Sequence, residues 1–240
     1  MRVLVVVPAY NEEACIADVV ASIADAGYDL VVVDDASVDA TVAVARQAGA
    51  VVVSLPINLG VGGALRTGWR YAVSHGYDVA VQVDGDGQHP VTHIFQLLTA
   101  LDQQQLDMVV GSRFADGGSH EGVSRMRRAC MHLLSYILRR SARVTLSDPT
   151  SGFRAIRSPL LTEFASEFPH HYLGDTFEAA LIAGRRGYRL GEIAIPMRSR
   201  QGGKPSADIF ASARSMLRAV VVLVTGTSFD IRTRTPTERQ

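Results

Sequence analysis

The sequence predicts an α/β architecture: one domain, with a mostly parallel central sheet flanked by helices. Three observations predict it. Short aliphatic runs alternate with helix-like stretches from residue 3 to about residue 111, the rhythm of β-α-β units. Three of those runs end abruptly in polar or acidic residues, as strands do where their carboxyl ends open onto a ligand crevice. A chain of 240 residues, 47% hydrophobic and 20% charged, can bury a sizeable core and has the composition of a globular protein.

In chain order, residues 3–7 are a continuous aliphatic strand. Residues 12–26 carry Ile16, Val19, Val20 and Ile23 at helical spacing, with Asn11 placed as a cap. Residues 30–33 form a second strand ending in Asp34-Asp35, and Ser37 is placed to cap a helix over about 39–48. A third strand covers 51–53. Residues 59–74 begin Gly-rich and continue as a helix, followed by strands at 79–83 and 108–111. The rhythm then breaks. Residues 123–141 read as an amphipathic helix, with Met126, Leu133, Leu134, Ile137 and Leu138 against Arg125, Arg127, Arg128, Arg139 and Arg140. Residues 148–153 are rich in turn formers, 176–186 are helical, 191–197 form a last strand, and 207–224 again show helical apolar spacing. With no repeat and no long linker, residues 1–225 read as one domain, and 226–240 as a flexible tail rich in Thr and Arg.

Net charge is zero, so bulk electrostatics offers nothing to a nucleic-acid partner. Arginines are nonetheless concentrated, seven of them between Arg113 and Arg143 against Asp116 and Glu121. Cys15 and Cys130 lack metal-ligand spacing and read as buried thiols in a reducing cytoplasm. The amino terminus enters a strand directly, unlike a signal peptide. No stretch reaches the ~18 to 20 apolar residues of a membrane span. The expected location is the cytoplasm, either free or in peripheral contact with the inner face of the cell membrane.

The most informative segment is Val-Gln-Val-Asp-Gly-Asp-Gly-Gln-His at 81–89. Asp84 and Asp86, at the end of a buried strand, can converge on one hard cation that also accepts diphosphate oxygens. Pro8-Ala9-Tyr10-Asn11-Glu12 and Asp34-Asp35-Ala36-Ser37 end two other strands, so all three can line one crevice. The loop Asn58-Leu59-Gly60-Val61-Gly62-Gly63-Ala64 is either a site of close backbone approach to a ligand or a flexible helix start.

Together with Gly111-Ser112-Arg113, Asp148-Pro149-Thr150-Ser151-Gly152-Phe153-Arg154 and Arg200-Gln201-Gly202-Gly203-Lys204, these segments resemble glycosyltransferase family 2. Within it they are most similar to the polyprenyl-phosphate sugar synthases of the dolichol-phosphate mannose synthase type. The match runs from about residue 3 to 205 in the family's order. The resemblance implies a Rossmann-like GT-A fold, a GDP- or UDP-linked sugar donor, Mg²⁺ or Mn²⁺, a polyprenyl phosphate acceptor and inversion at the anomeric carbon. It places Pro8, Tyr10, Glu12, Val33 and Asp35 around base and ribose, with Asp84 and Gly85 against the nucleotide. Asp86 and Gln88 would hold the metal. Arg113 and Arg127 match arginines that grip an acceptor phosphate, and Arg200 and Lys204 match cations of a loop that closes over the donor. That loop usually reads Arg-x-x-Gly-x-Ser-Lys, whereas here Lys204 precedes Pro205-Ser206, a register shift of two.

A sugar hydroxyl acceptor would need a general base, for which Asp148 is the candidate; as a turn acid it could instead orient Arg154. An anionic phosphate acceptor needs arginines, and the cluster Arg113, Arg125, Arg127 and Arg128 favours it, although the same cluster could be a solvated helix face. The expected catalytic set is therefore Asp86, Arg113, Arg127 and Asp148, with residues 1–112 serving the donor and 113–225 the acceptor. The 123–141 helix mixes basic and apolar residues as interfacial helices do, and the 207–224 helix suits core packing or a homodimer contact. A non-catalytic nucleotide-sugar binding protein is disfavoured by the two acids of the metal motif.

Overall fold

The computed structural model describes residues 1–115, 125–167 and 175–196. The helix expected over 207–224, the expected C-terminal tail, Arg200 and Lys204 lie outside the described residues, as do the side chains of Arg125, Arg127 and Cys130.

Seven strands, β1 (Val3–Ala9), β2 (Asp29–Asp34), β3 (Val51–Ser54), β4 (Val79–Gln82), β5 (Met108–Ser112), β6 (Arg154–Arg157) and β7 (Leu190–Ala194), form one sheet in the order β3-β2-β1-β4-β6-β5-β7. The first four in that order are mutually parallel. β6 runs antiparallel to both β4 and β5, and β7 is parallel to β5. Every strand but β6 therefore points its carboxyl end to the same edge.

Period-two alternation sends β1 side chains to two separate cores. Leu4 and Val6 join Leu65, Trp69, Leu138, Leu161 and Phe164 on one face. Val5 and Val7 join Ile16, Val20, Ile23, Leu97 and Leu101 on the other. The helices follow this division. α3 (Gly60–Ser74), α5 (Arg125–Ala142), α6 (Leu160–Glu167) and α7 (Asp175–Arg185) cover the first face, while α1 (Ile16–Asp25), α2 (Thr41–Gln47) and α4 (Ile94–Gln103) cover the second. Such burial on both faces is why β1, β2 and β4 read as aliphatic runs. Among the described residues no helix is long and apolar enough to cross a membrane.

Several expectations are corrected. Helices α4 and α6 and strand β6 occupy stretches for which no element was expected. β1 runs to Ala9, and β7 ends at Ala194. Neither predicted cap is a cap: α1 starts after Cys15 and α2 after Ala40, both without a side-chain cap. Asn11 and Ser37 clip the two loops to each other instead. The Asn11 N–H donates to Ser37 Oγ at 2.9 Å, and the Val38 N–H donates to Asn11 Oδ1 at 2.9 Å. Glu12 N–H adds a bond to the buried Thr41 Oγ1 at 2.8 Å, and Ala40 N–H one to Glu13 Oε2 at 2.9 Å. Asn11 sits at φ +55, a left-handed conformation that asparagine tolerates better than most residues. Asn11→Ala should therefore destabilise the fold by about 1–2 kcal/mol, from one lost bond and the unfavourable backbone. Denaturant titration would show a lower midpoint at unchanged slope, and an unchanged midpoint would refute the clip's contribution.

Candidate active site

After β3 the chain returns through α3 to the other side of β1, so the strand order reverses between β1 and β4. In open α/β sheets the crevice at such a reversal is where ligands settle. The ends of β1 and β4 meet there. A Cβ built on Gly85 would lie 3.3 Å from Pro8 O and 3.5 Å from Glu12 Cγ, so the acidic loop sits directly on the β1–α1 loop. Pro8 and Glu12 are buried at this seam and Tyr10 is 47% exposed above it.

Asp35 follows β2. Its Oδ1 accepts the Leu59 N–H at 2.7 Å and its Oδ2 the Gly60 N–H at 2.8 Å, at the amino end of α3. The Gly-rich loop is thus, in this structure, a helix start pinned by a carboxylate, where N–H groups lack intrahelical partners. Burial raises the carboxyl's pKa above its ordinary value, the two N–H groups oppose that, and neighbouring Asp34 adds to it. Val33, also expected near the base and ribose, lies one residue before Asp34 at the end of β2. Its side chain is fully buried in the core, and its strand is flanked on both sides by β1 and β3.

Asp84 and Asp86 come together with Gln88 and His89 beyond β4. Asp86 is 7% exposed. Its Oδ1 accepts the Gln88 N–H at 3.0 Å, and its Oδ2 accepts Gln88 Nε2 at 2.8 Å. Carboxylate and amide are thus adjacent hard-oxygen carriers, a donor set suited to Mg²⁺ or Mn²⁺. The amide now presents its N–H; presenting oxygen takes a half-turn of a terminal torsion that is intrinsically soft. Among the described residues no group of three or more His, Cys, Asp or Glu is placed to hold a metal, so a cation here would complete its shell with ligand oxygens and water. Asp84 Oδ1 accepts Gln82 Nε2 at 2.9 Å, and its N–H donates to His89 Nδ1 at 3.0 Å.

Beyond β5, Arg113 Nε donates to Asp148 Oδ2 at 3.1 Å. Asp148 is fully buried, and its Oδ1 accepts the Thr150 hydroxyl at 2.8 Å and the Thr150 N–H at 3.3 Å. The expected partner Arg154 donates its Nε to Gln82 Oε1 at 2.9 Å instead. Arg113 remains 30% exposed. Ser147, which donates to Glu192 of β7 through both its N–H and its hydroxyl, shares a 2.7 Å bond with Ser112. Between α5 and residues 145–147 lie two adjoining cavities of about 180 and 200 Å³. They share His132 and Ser135, with Arg128 in the first and Arg139 in the second. Sequence reasoning singled out Asp84 and Asp86 but missed Gln82, His89 and Glu192, whose roles depend on non-local partners.

A model described as glycosyl transferase family 2 matches residues 4–164. The undecaprenyl-phosphate mannosyltransferase of Micrococcus luteus is 31% identical over 212 residues, covering 85% of this chain and 86% of that protein. The UDP-N-acetylglucosamine–dolichyl-phosphate N-acetylglucosaminyltransferase of Methanococcus voltae is 27% identical over 211 residues, covering 80% and 84%. The glucosyl-3-phosphoglycerate synthase of Mycobacterium tuberculosis, solved with Mn²⁺, UDP and phosphoglyceric acid, superposes with a TM-score of 0.71. The two are 26% identical, over 94% of this chain and 78% of that one.

Proposed function

The chain belongs to glycosyltransferase family 2, and on that premise we propose that it moves a hexose from a nucleotide diphosphate sugar to a polyprenyl phosphate. The observation that carries this reading is the state of Asp148. A base must reach the acceptor's proton, whereas this carboxylate is fully buried, with one oxygen on Arg113 and the other on Thr150. Arg113 is thereby held with its guanidinium part-exposed, as an anionic acceptor requires. The names of two relatives support the same acceptor class; they differ in the sugar.

The reaction in this reading is a single displacement. An acceptor phosphate oxygen bonds to the anomeric carbon as the bond to the diphosphate oxygen breaks on the opposite side, which inverts the centre. No proton leaves the acceptor. Pro8, Tyr10, Glu12 and Asp35 frame the base and ribose, and Asp84 and Gly85 hold the nucleotide against β4. Asp86 and Gln88 would hold Mg²⁺ or Mn²⁺, which when bound supplies charge neutralisation for the departing diphosphate. Arg113 and Arg127 orient the acceptor phosphate, and Arg200 and Lys204 close over the donor. Residues 1–112 then serve the donor and 113–225 the acceptor, with the basic face of α5 providing peripheral membrane contact.

The superposed synthase with bound phosphoglyceric acid favours a second reading, a soluble hydroxyl acceptor. Both are decided by incubating the purified protein with UDP- and GDP-linked hexoses and Mn²⁺, with either undecaprenyl phosphate or 3-phosphoglycerate. Sugar recovered in the lipid phase is the expected result. Transfer only to 3-phosphoglycerate would overturn it.

A further inference from the structure

We propose that Gln82 and Arg154 are positioning residues that set the orientation of Asp84, a role that rests on Asp84 belonging to the donor site. The two face each other across β4 and β6 in register and are 2% and 1% exposed. Arg154 Nε donates to Gln82 Oε1 at 2.9 Å, and Gln82 Nε2 donates to Asp84 Oδ1 at 2.9 Å. A guanidinium has donors and no acceptor. The Gln82 oxygen must therefore face Arg154, and its NH₂ must face Asp84. Turning the amide over would set donor against donor, and a buried mismatch of that kind is costly. An amide can usually adopt either orientation; here the buried charge dictates one.

The neighbours of Arg154 close the same enclosure. A Cβ on Gly152 would lie 2.8 Å from Gln82 Nε2 and 3.1 Å from Asp84 Oδ2, so only a glycine lets the turn come this close. Phe153 stacks on the His89 ring with centroids 5.1 Å apart, and His89 Nδ1 accepts the Asp84 N–H. Residues 152, 153 and 154 thus bear on the Asp84 carboxylate, on the imidazole that holds its main chain, and on the amide that holds its side chain. The antiparallel strand is the template against which the acidic loop is set. Asp84 keeps 37% side-chain exposure, so the outer side of a carboxylate fixed from behind is left for a ligand.

The test is a double-mutant cycle between Gln82→Glu and Asp84→Asn, read by calorimetric titration with UDP plus Mn²⁺ and with GDP plus Mn²⁺. In Gln82→Glu the new carboxylate still pairs with Arg154, so the melting temperature should hold, but it cannot donate to Asp84 and repels it. Binding of whichever diphosphate the wild-type protein takes should weaken by roughly tenfold or more, with donor KM rising more than kcat falls. In the Asp84→Asn background the same change should have little further effect, because asparagine can turn its own NH₂ toward the introduced carboxylate. A role in packing alone predicts additive losses in the cycle. Should Gln82→Glu fail to fold, the near-isosteric Gln82→Met is read the same way. Additive losses, or weak binding in Asp84→Asn with normal binding in the Gln82 variant, overturn the relay alone. Unchanged binding in Asp84→Asn removes Asp84 from the donor site, and the relay with it.

Discussion

Replacing Asp86 by alanine should lower transfer by about 10²-fold or more at saturating donor, the loss expected when a preorganised countercharge to the leaving group is removed. Excess chelator should reproduce the loss in the wild-type protein. The structural cost is smaller, because the lost bonds to Gln88 belong to a partly exposed turn and a typical bond contributes only ~1 kcal/mol. Activity and stability should therefore separate. Asp86→Asn sharpens the test, since it preserves shape while removing the charge. Its activity should titrate with Mn²⁺ at much higher concentration than wild type. Full activity in chelator would eliminate the Asp86–Gln88 metal assignment.

The second large effect concerns Asp148→Asn. An asparagine amide must point an N–H at either the Arg113 Nε or the Thr150 N–H, both donors that the carboxylate satisfies. Removing one partner of a buried pair costs ~3–5 kcal/mol; because Arg113 can reach water, about 1–3 kcal/mol is expected here. In the proposed reading Arg113, having lost its anchor, no longer holds the acceptor phosphate, so acceptor KM should rise roughly tenfold. Arg113→Ala should raise it at least as far. The kcat at saturating acceptor and its pH profile should change little. Loss of a general base would instead remove ~10² to 10⁴-fold in kcat and flatten the acid limb of the profile. That outcome in a folded Asp148→Asn protein would replace the phosphate acceptor with a hydroxyl.

What could be read from the sequence was whatever a local signal carried. β1, β2 and β4 declare themselves as aliphatic runs, and an aspartate at the end of such a run marks the ligand edge. That logic singled out Asp35, Asp84 and Asp86, which the structure brings to the carboxyl ends of β2 and β4. β6 is different: its four residues are Arg-Ala-Ile-Arg, two of them cationic, and its partner Gln82 lies 72 positions before Arg154. No period reveals such a strand. α4 carries Ile94, Leu97, Leu98 and Leu101 buried at helical spacing, a legible signal that follows directly on the acidic motif. Asn11 and Ser37 have the side chains of caps, but tertiary partners outcompete the local helix ends, as capping propensities permit. The pairing of Arg113 with Asp148 spans 35 positions and could only be seen folded. The same holds for the Asp35 contacts with the Leu59 and Gly60 N–H groups.

The place of β6 also sets a schedule for biosynthesis. Every donor-side residue assigned in the first 112 positions leaves the ribosome well before Arg154, which trails Gln82 by 72 residues. During that interval the β4 edge that β6 will occupy has no partner, β5 has no strand to dock on, and Asp84 lacks its rear wall. An open strand edge of this kind recruits other chains. A nascent chain stalled between β5 and β6 would thus be a client for chaperones while already containing its acidic motif. A premature stop in that window would leave a sticky half-sheet in place of a weakened enzyme.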